Sequence, residues 1–336
     1  MRASTQRLSW ILGLGFCASL TSSCAGLNAA KRKADEERWQ GRGAECVRAF
    51  LGKESPYQPP SENGPPDPIL SAVPPEARRT AKAAGIEGLV ADALRLAQAG
   101  DAARLERLEV RQDLNMRVVS LETQLSAMIF EAECTGEMIE TISLELTQRE
   151  ENREVRLALV SLVLGAASAT AAGAWDLVNG NSNGPAITGL TGGIAAAGIG
   201  VAAFVPRPQL TSYRHDHNLL SPIVRGVDDD QLYPAFVFRL LTLDGADGRP
   251  SPRQLLVKEW QHLIESTLPA ADRQAAEAML FGSGGLYDQT TIDLRERMYD
   301  ALETRLNALA RDLELLDRFL VRALEQRTQG TVPTPG

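Results

Sequence analysis

The stretch LNMRVVSLETQLSAMIFEAECTGEMIETISLEL, Leu114 to Leu146, decides how this chain folds. Leu114, Val118, Leu121, Leu125, Met128 and Ala132 recur in steps of four and three. After a slip near Thr135 and Gly136, Ile139, Ile142 and Leu146 resume the pattern. Such steps return to one side of a 3.6-residue turn, so the spacing predicts a helix with a narrow, coiled-coil-like seam. Near the other end of the chain Leu302, Leu306, Leu309, Leu313, Leu316, Leu320 and Ala323 repeat the same steps. A narrow apolar stripe cannot bury itself. The two helices are therefore expected to pack on each other or on another subunit. Aromatic residues are only 5% of the chain, while Ala, Leu and Arg recur throughout. That balance argues for an all-α fold and against a sheet-based domain.

Working outward, the first seam belongs to a long helical segment over 76–155. It begins with Ile86, Leu89, Val90 and Leu94 and is weakly broken at Ala99 to Asp101. The second seam belongs to a C-terminal helix over 289–327, followed by a frayed tail, 328–336. Between 207 and 288 the pattern predicts a smaller helical region. There SPRQLLVKEWQHLIEST reads as a helix capped by Ser251 with Pro252 in its first turn. ADRQAAEAML reads as another, stopped by the glycines of Gly282 to Gly285. Periodicity leaves YPAFVFRLLTL, Tyr233 to Leu243, open between helix and strand. Upstream, Trp39, Cys46 and Phe50 share the face of an N-terminal helix within 24–53. A linker rich in proline over 54–75 separates it from the body.

The centre is different. Between Arg156 and Arg207 the only charge is Asp176. Leu157–Trp175 and Pro185–Val205 would each span about 30 Å as a helix, the thickness of a bilayer's hydrocarbon core. The residues DLVNGNSNG between them favour a turn, so 156–206 is expected to form an apolar helical hairpin. Folded so, Arg153 and Arg156 lie at the same end as Arg207 and Arg214. Gly165, Ala169 and Gly173 are four apart on the first arm. On the second arm so are Gly189, Gly193 and Ala197, and likewise Gly192, Ala196 and Gly200. Small residues at this spacing let helix backbones approach closely in lipid. A helix apolar all round is either in a membrane or buried in protein, and the residues leave both open.

Location is written at the N-terminus. Arg2 and Arg7 precede the apolar run LSWILGLGFCASL, and TSSC follows. That order describes an export signal over 1–23. An ordinary signal peptidase could cut within ASLTSSCAG. Alternatively, TSSC with Leu20 upstream resembles a bacterial lipobox, with Thr21 where a Leu is usual. The resemblance implies that Cys24 becomes the first residue and carries lipid, palmitate included. Ala25 in place of Asp further implies the periplasmic face of the outer membrane. Cleavage before Cys24 removes two Arg and no acid, leaving 33 basic against 43 acidic residues. An acidic chain has no general attraction for nucleic acid. The expected partners are membrane lipid, and a second copy or another envelope protein through the coiled-coil faces. Cys17 leaves with the signal, so Cys46 and Cys134 remain to form a disulfide in an oxidising compartment.

Reaction chemistry is sparse. His215 and His217 flank Asp216 in YRHDHN, with Asp228 to Asp230 nearby, which reads as a solvated polar loop. His262 and Glu265 lie one turn apart without a zincin's second His. No motif calls for a catalytic residue, metal or cofactor, and the chain is not read as an enzyme. The expectation is a lipid-anchored envelope protein with a membrane-inserting hairpin, structural or pore-like and oligomeric. The alternative is a soluble periplasmic helical scaffold or adaptor tethered only by its lipid.

Overall fold

The computed structural model describes residues 30–47, 67–99, 103–179, 209–245 and 248–325. They are mostly helical, with nine α-helices and one small β-ribbon among the described residues. Helix α1 covers 30–47. A 3-10 turn at Pro68–Ala72 leads into α2, Pro75–Ala84, and α3, Glu87–Gln98. The long helix α4 runs unbroken from Arg104 to Asn179. Strand β1, Thr211–Arg214, is followed by α5, Leu220–Arg225, α6, Ala235–Thr242, α7, Pro252–Thr267, and α8, Ala270–Phe281. Strand β2, Gly284–Tyr287, then leads into α9, Gln289–Glu325.

The two seams meet. Every residue of the first seam from Leu114 to Leu146 is buried, as are Leu302 through Leu320 of the second. The helices run antiparallel, because Ser143 bonds Asp293 at 2.7 Å while Glu122 and Leu125 lie across from Asn307 and Ala310. The slip at Gly136 does not interrupt α4. A Cβ there would sit 3.7 Å from the Tyr299 side chain, so the missing side chain lets the partner helix pass closely. Helices α2, α3 and α7 close over α9, and α6 packs on α2 and α7. Arg79 ties three of these elements, donating to the Leu240 and Leu243 carbonyls and to Asp312 on α9.

Several local expectations meet particular outcomes. Ser251 caps α7 through a capping box, its hydroxyl accepting from Gln254 N while Gln254 accepts from Ser251 N. Tyr233 to Leu243 is helical, entered through Pro234 and buried by Phe236, Val237, Leu240 and Leu241. The segment 76–155 is not one element: α2 ends at Gly85 in the left-handed region, α3 ends near Ala99, and α4 starts afresh. No boundary falls at 155/156 either, since α4 carries the coiled-coil segment straight into the first apolar arm. The region 207–288 also holds an antiparallel ribbon, Thr211 opposite Tyr287 and Arg214 opposite Gly284. Gly284, at φ +86°, opens β2 where a Cβ would lie 2.3 Å from the Tyr213 carbonyl. The glycines after α8 thus stop a helix and also seat a strand.

Among the described residues no helix is long and apolar enough to cross a membrane. The second arm, with Gly189, Gly192, Gly193, Ala196, Ala197 and Gly200, lies outside the described residues, as does Cys24. Gly165, Ala169 and Gly173 are on the described backbone of α4, but their surroundings lie outside the description.

Candidate functional site

Two polar assemblies stand out against this apolar framework. The first is a collar where the apolar arm leaves the body. Helix α1 lies antiparallel on α4: Asp35 accepts both guanidinium nitrogens of Arg149 at 2.9 Å. Arg38 reaches Glu145 at 2.9 Å, and Cys46 is joined to Cys134 by a disulfide, Cα atoms 5.6 Å apart. The pairing expected from counting cysteines is the one the structure contains. The hydrogen bonds that Asp35 accepts outweigh burial, which acts the other way, and hold the Arg149 guanidinium above its ordinary pKa. Glu36 receives Ser212 at 3.0 Å, which binds β1 to the same collar. Gln209 N meets Glu150 at 3.4 Å.

Two placements follow. Since α1 and α4 run oppositely with Asp35 beside Arg149, the start of α1 at residue 30 lies toward Arg156, where the apolar run begins. And the chain leaves along α4 to Asn179 yet is back beside Glu150 by Gln209.

The second assembly is a buried knot around Arg295, which is fully buried on α9. Its guanidinium donates to the Leu280 carbonyl at 2.7 Å, to Asn218 Oδ1 at 3.1 Å and to the Tyr299 hydroxyl at 3.4 Å. It also lies over the rings of Tyr213 and Tyr299, 5.8 and 5.2 Å from their centroids. His215 Nε2 and the Tyr287 hydroxyl are 2.8 Å apart. Asn218 further donates to the Leu280 and Gly282 carbonyls, capping the end of α8. The knot therefore gathers α8, both strands and the loop before α5 onto α9. Burial first, then Arg295, holds the His215 imidazole down at about 2, so it stays neutral. Burial likewise pushes the Tyr287 phenol up to about 12.

The histidine reading needs correction here. YRHDHN is not a solvated polar loop: His215 is 6% exposed, and His217 Nε2 meets the buried Glu131 carboxylate at 2.7 Å. Pairing of β1 with β2 brings His215 to Tyr287 and toward Arg295 of α9 and sets His217 against Glu131 of α4, which alternation in four residues could not announce. His262 and Glu265 are both exposed on α7. Among the described residues no group of three or more His, Cys, Asp or Glu is placed to hold a metal. An acid-lined groove of about 200 Å³ runs between α4 and α9 beside Glu133, Glu137, Glu140 and Asp300. Burial, then Asp293, Asp300 and Glu140, raises the Glu296 carboxyl there.

The neutral His215 has a measurable consequence. Unfolded, it takes a proton below about pH 6.5, whereas folded it resists to about pH 2. Through that window the unfolded state binds more protons, so stability falls as pH drops, by up to about 1.4 kcal/mol per unit. Urea unfolding from pH 7.5 to 5 should show a shallower slope in His215→Gln, the gap to the parent narrowing by about 2 kcal/mol. Equal slopes in the two proteins would mean that His215 is not held neutral.

No protein-family model matches the chain, and no curated protein or solved structure is significantly similar to it.

Proposed function

We propose that this is a lipid-anchored protein of the bacterial cell envelope that inserts the hairpin of residues 156–206 into a membrane as part of an oligomeric, structural or pore-like assembly. The observation that carries the reading is the collar. Helix α1 begins six residues after Cys24 and is clamped to α4 so that its start faces the first apolar arm. A lipid on Cys24 and the apolar hairpin would thus emerge from one end of the body. Gln209 beside Glu150 supports the hairpin reading. A disulfide in the body fits export to an oxidising compartment. The lipobox resemblance adds the periplasmic face of the outer membrane as the site of anchoring.

A second reading, a periplasmic scaffold tethered by its lipid alone, draws on the finding that no described helix is long and apolar enough to span a bilayer. Extraction separates them. A Cys24→Ala chain, lacking lipid, should remain with membranes through carbonate and urea washing if the hairpin inserts. Release into the supernatant would leave the scaffold reading standing.

A further inference from the structure

Helix α4 has two apolar faces, and only one is used. Val119 and Leu121 are two residues apart, as are Phe130 and Met128, which is about 200° around a helix. Leu121 and Met128 are buried against α9 and its neighbours, while Val119 and Phe130 are each 52% exposed. Leu105, Leu108, Met116 and Leu144 are exposed on the same side as Val119 and Phe130. At about 100° per residue they fall within one sector roughly 100° wide, opposite the buried seam. Val155, Leu159, Leu162 and Val163 continue the stripe beyond the collar, all more than half exposed. Helix α1 follows one flank at Glu145 and Arg149 and meets the edge of the stripe at Cys134, which lies about five turns from Met116.

We infer that this stripe is the interface with a second copy of the chain, the two α4 helices packing parallel and in register from Leu105 to Val163. The proposal rests on the oligomeric part of the function above and names its contact. Ten half-exposed apolar side chains, interrupted by the exposed Thr123, Ser126, Glu137 and Gln148 in the same sector, together present area on the scale of the roughly 800 Å² per partner of a standard interface. The stripe extends for about 90 Å. A bilayer core of about 30 Å can cover only a third of that. The 19 residues of 48–66 begin near Cys134 and end at Asp67 beside Arg95, so they cannot reach Val155 to Val163 as well. Among the described residues only α4 is long enough to match it. The parallel sense pairs each apolar residue with its own copy and sets both apolar arms at one end, as insertion in one membrane requires. An antiparallel pair would separate those arms.

Full-length chain purified in detergent should have at least a dimer's mass by light scattering at micromolar concentration. The double variant Val119→Glu, Phe130→Glu should be monomeric with unchanged helicity and melting temperature, because the core packs on the opposite face. A monomeric parent, or a double variant with the parent's mass, would overturn the proposal. So would a monomeric parent whose double variant melts lower, which would mean that the chain's own segments cover the stripe. Leu108→Cys and Leu144→Cys should each, alone, give a disulfide-linked dimer on mild oxidation. Cross-linking only when the two are mixed would show antiparallel pairing and defeat the register. These readouts do not depend on insertion, so the extraction test can fail while the dimer stands, and the reverse.

Discussion

Replacing Arg295 with Ala is expected to lower the free energy of unfolding by about 3–5 kcal/mol. The guanidinium is fully buried, and its hydrogen-bond partners are all neutral: a carbonyl, an amide oxygen and a phenol. Each hydrogen bond from a charged group contributes about 1.5–3 kcal/mol when its loss leaves a partner short. Those partners are not equally exposed to loss. The Leu280 carbonyl keeps the Asn218 amide, and Asn218 Oδ1 keeps Leu220 N. Much of the penalty must therefore come from the space vacated among Tyr213, Tyr287 and Tyr299 and from two lost cation–π contacts. Arg295→Met separates these contributions. It fills most of the volume without a charge to desolvate, so its cost should be about half that of Ala. Urea unfolding of the three proteins measures this, and hydrogen exchange should show β1 losing protection before α4 does. An Ala variant within about 1 kcal/mol of the parent would mean that the knot does not hold the ribbon to α9.

Arg295 also marks a limit of what the sequence makes legible. The seam of α9 that is plain from Leu302 onward, carried backward in the same steps of three and four, passes through Tyr299, Arg295 and Ile292, all buried. A charged residue on an apolar stripe was the available signal. Elsewhere the legible features were those whose cause is local. The seams follow from side-chain period, the α7 cap from Ser251 and Gln254, and the disulfide from the count of cysteines left after export. The illegible ones depend on distant partners. Four residues of β1 carry no alternation long enough to detect, and they become a strand only because Gly284 to Tyr287 arrive from some seventy residues away. The division at 155/156 followed a change of composition. Helices end at backbone signals, and between Arg104 and Asn179 there is no Pro, while Gly136, the one Gly ahead of the apolar arm, sits against Tyr299. The exposed apolar residues of α4 are visible in the sequence too, but one good seam already explains a helix, and only their exposure sets them apart from it.

Cys134→Ser is expected to remove about 4–5 kcal/mol from the stability of the oxidised chain, the entropy of closing a loop with 88 residues between its ends. The loss should be uneven. The body from α2 to α9 keeps its core without the disulfide, since Leu114 to Leu146 still pack on α9. Helix α1 has less to hold it: Trp39 under Arg38 and Arg42, the paired Asp35 and Arg149, the exposed Arg38–Glu145 contact and the Ser212 hydroxyl on Glu36. The first two are the most sheltered from water, and exposed ion pairs contribute about 0–1 kcal/mol. Limited proteolysis should therefore release the segment before Asp67 from the Ser variant, while the parent resists until reductant is added. A non-reducing gel should show the parent migrating faster than the variant. Identical migration and identical cleavage would mean that Cys46 and Cys134 are not joined in solution. In an anchored protein the consequence reaches further than stability. With α1 detached, a lipid on Cys24 would be connected to the body only through residues 48–66, and the anchor would no longer be fixed beside the apolar arm. Membrane extraction of the Ser variant that matches the parent, with lipid intact and α1 released, would mean that the hairpin inserts without this clamp.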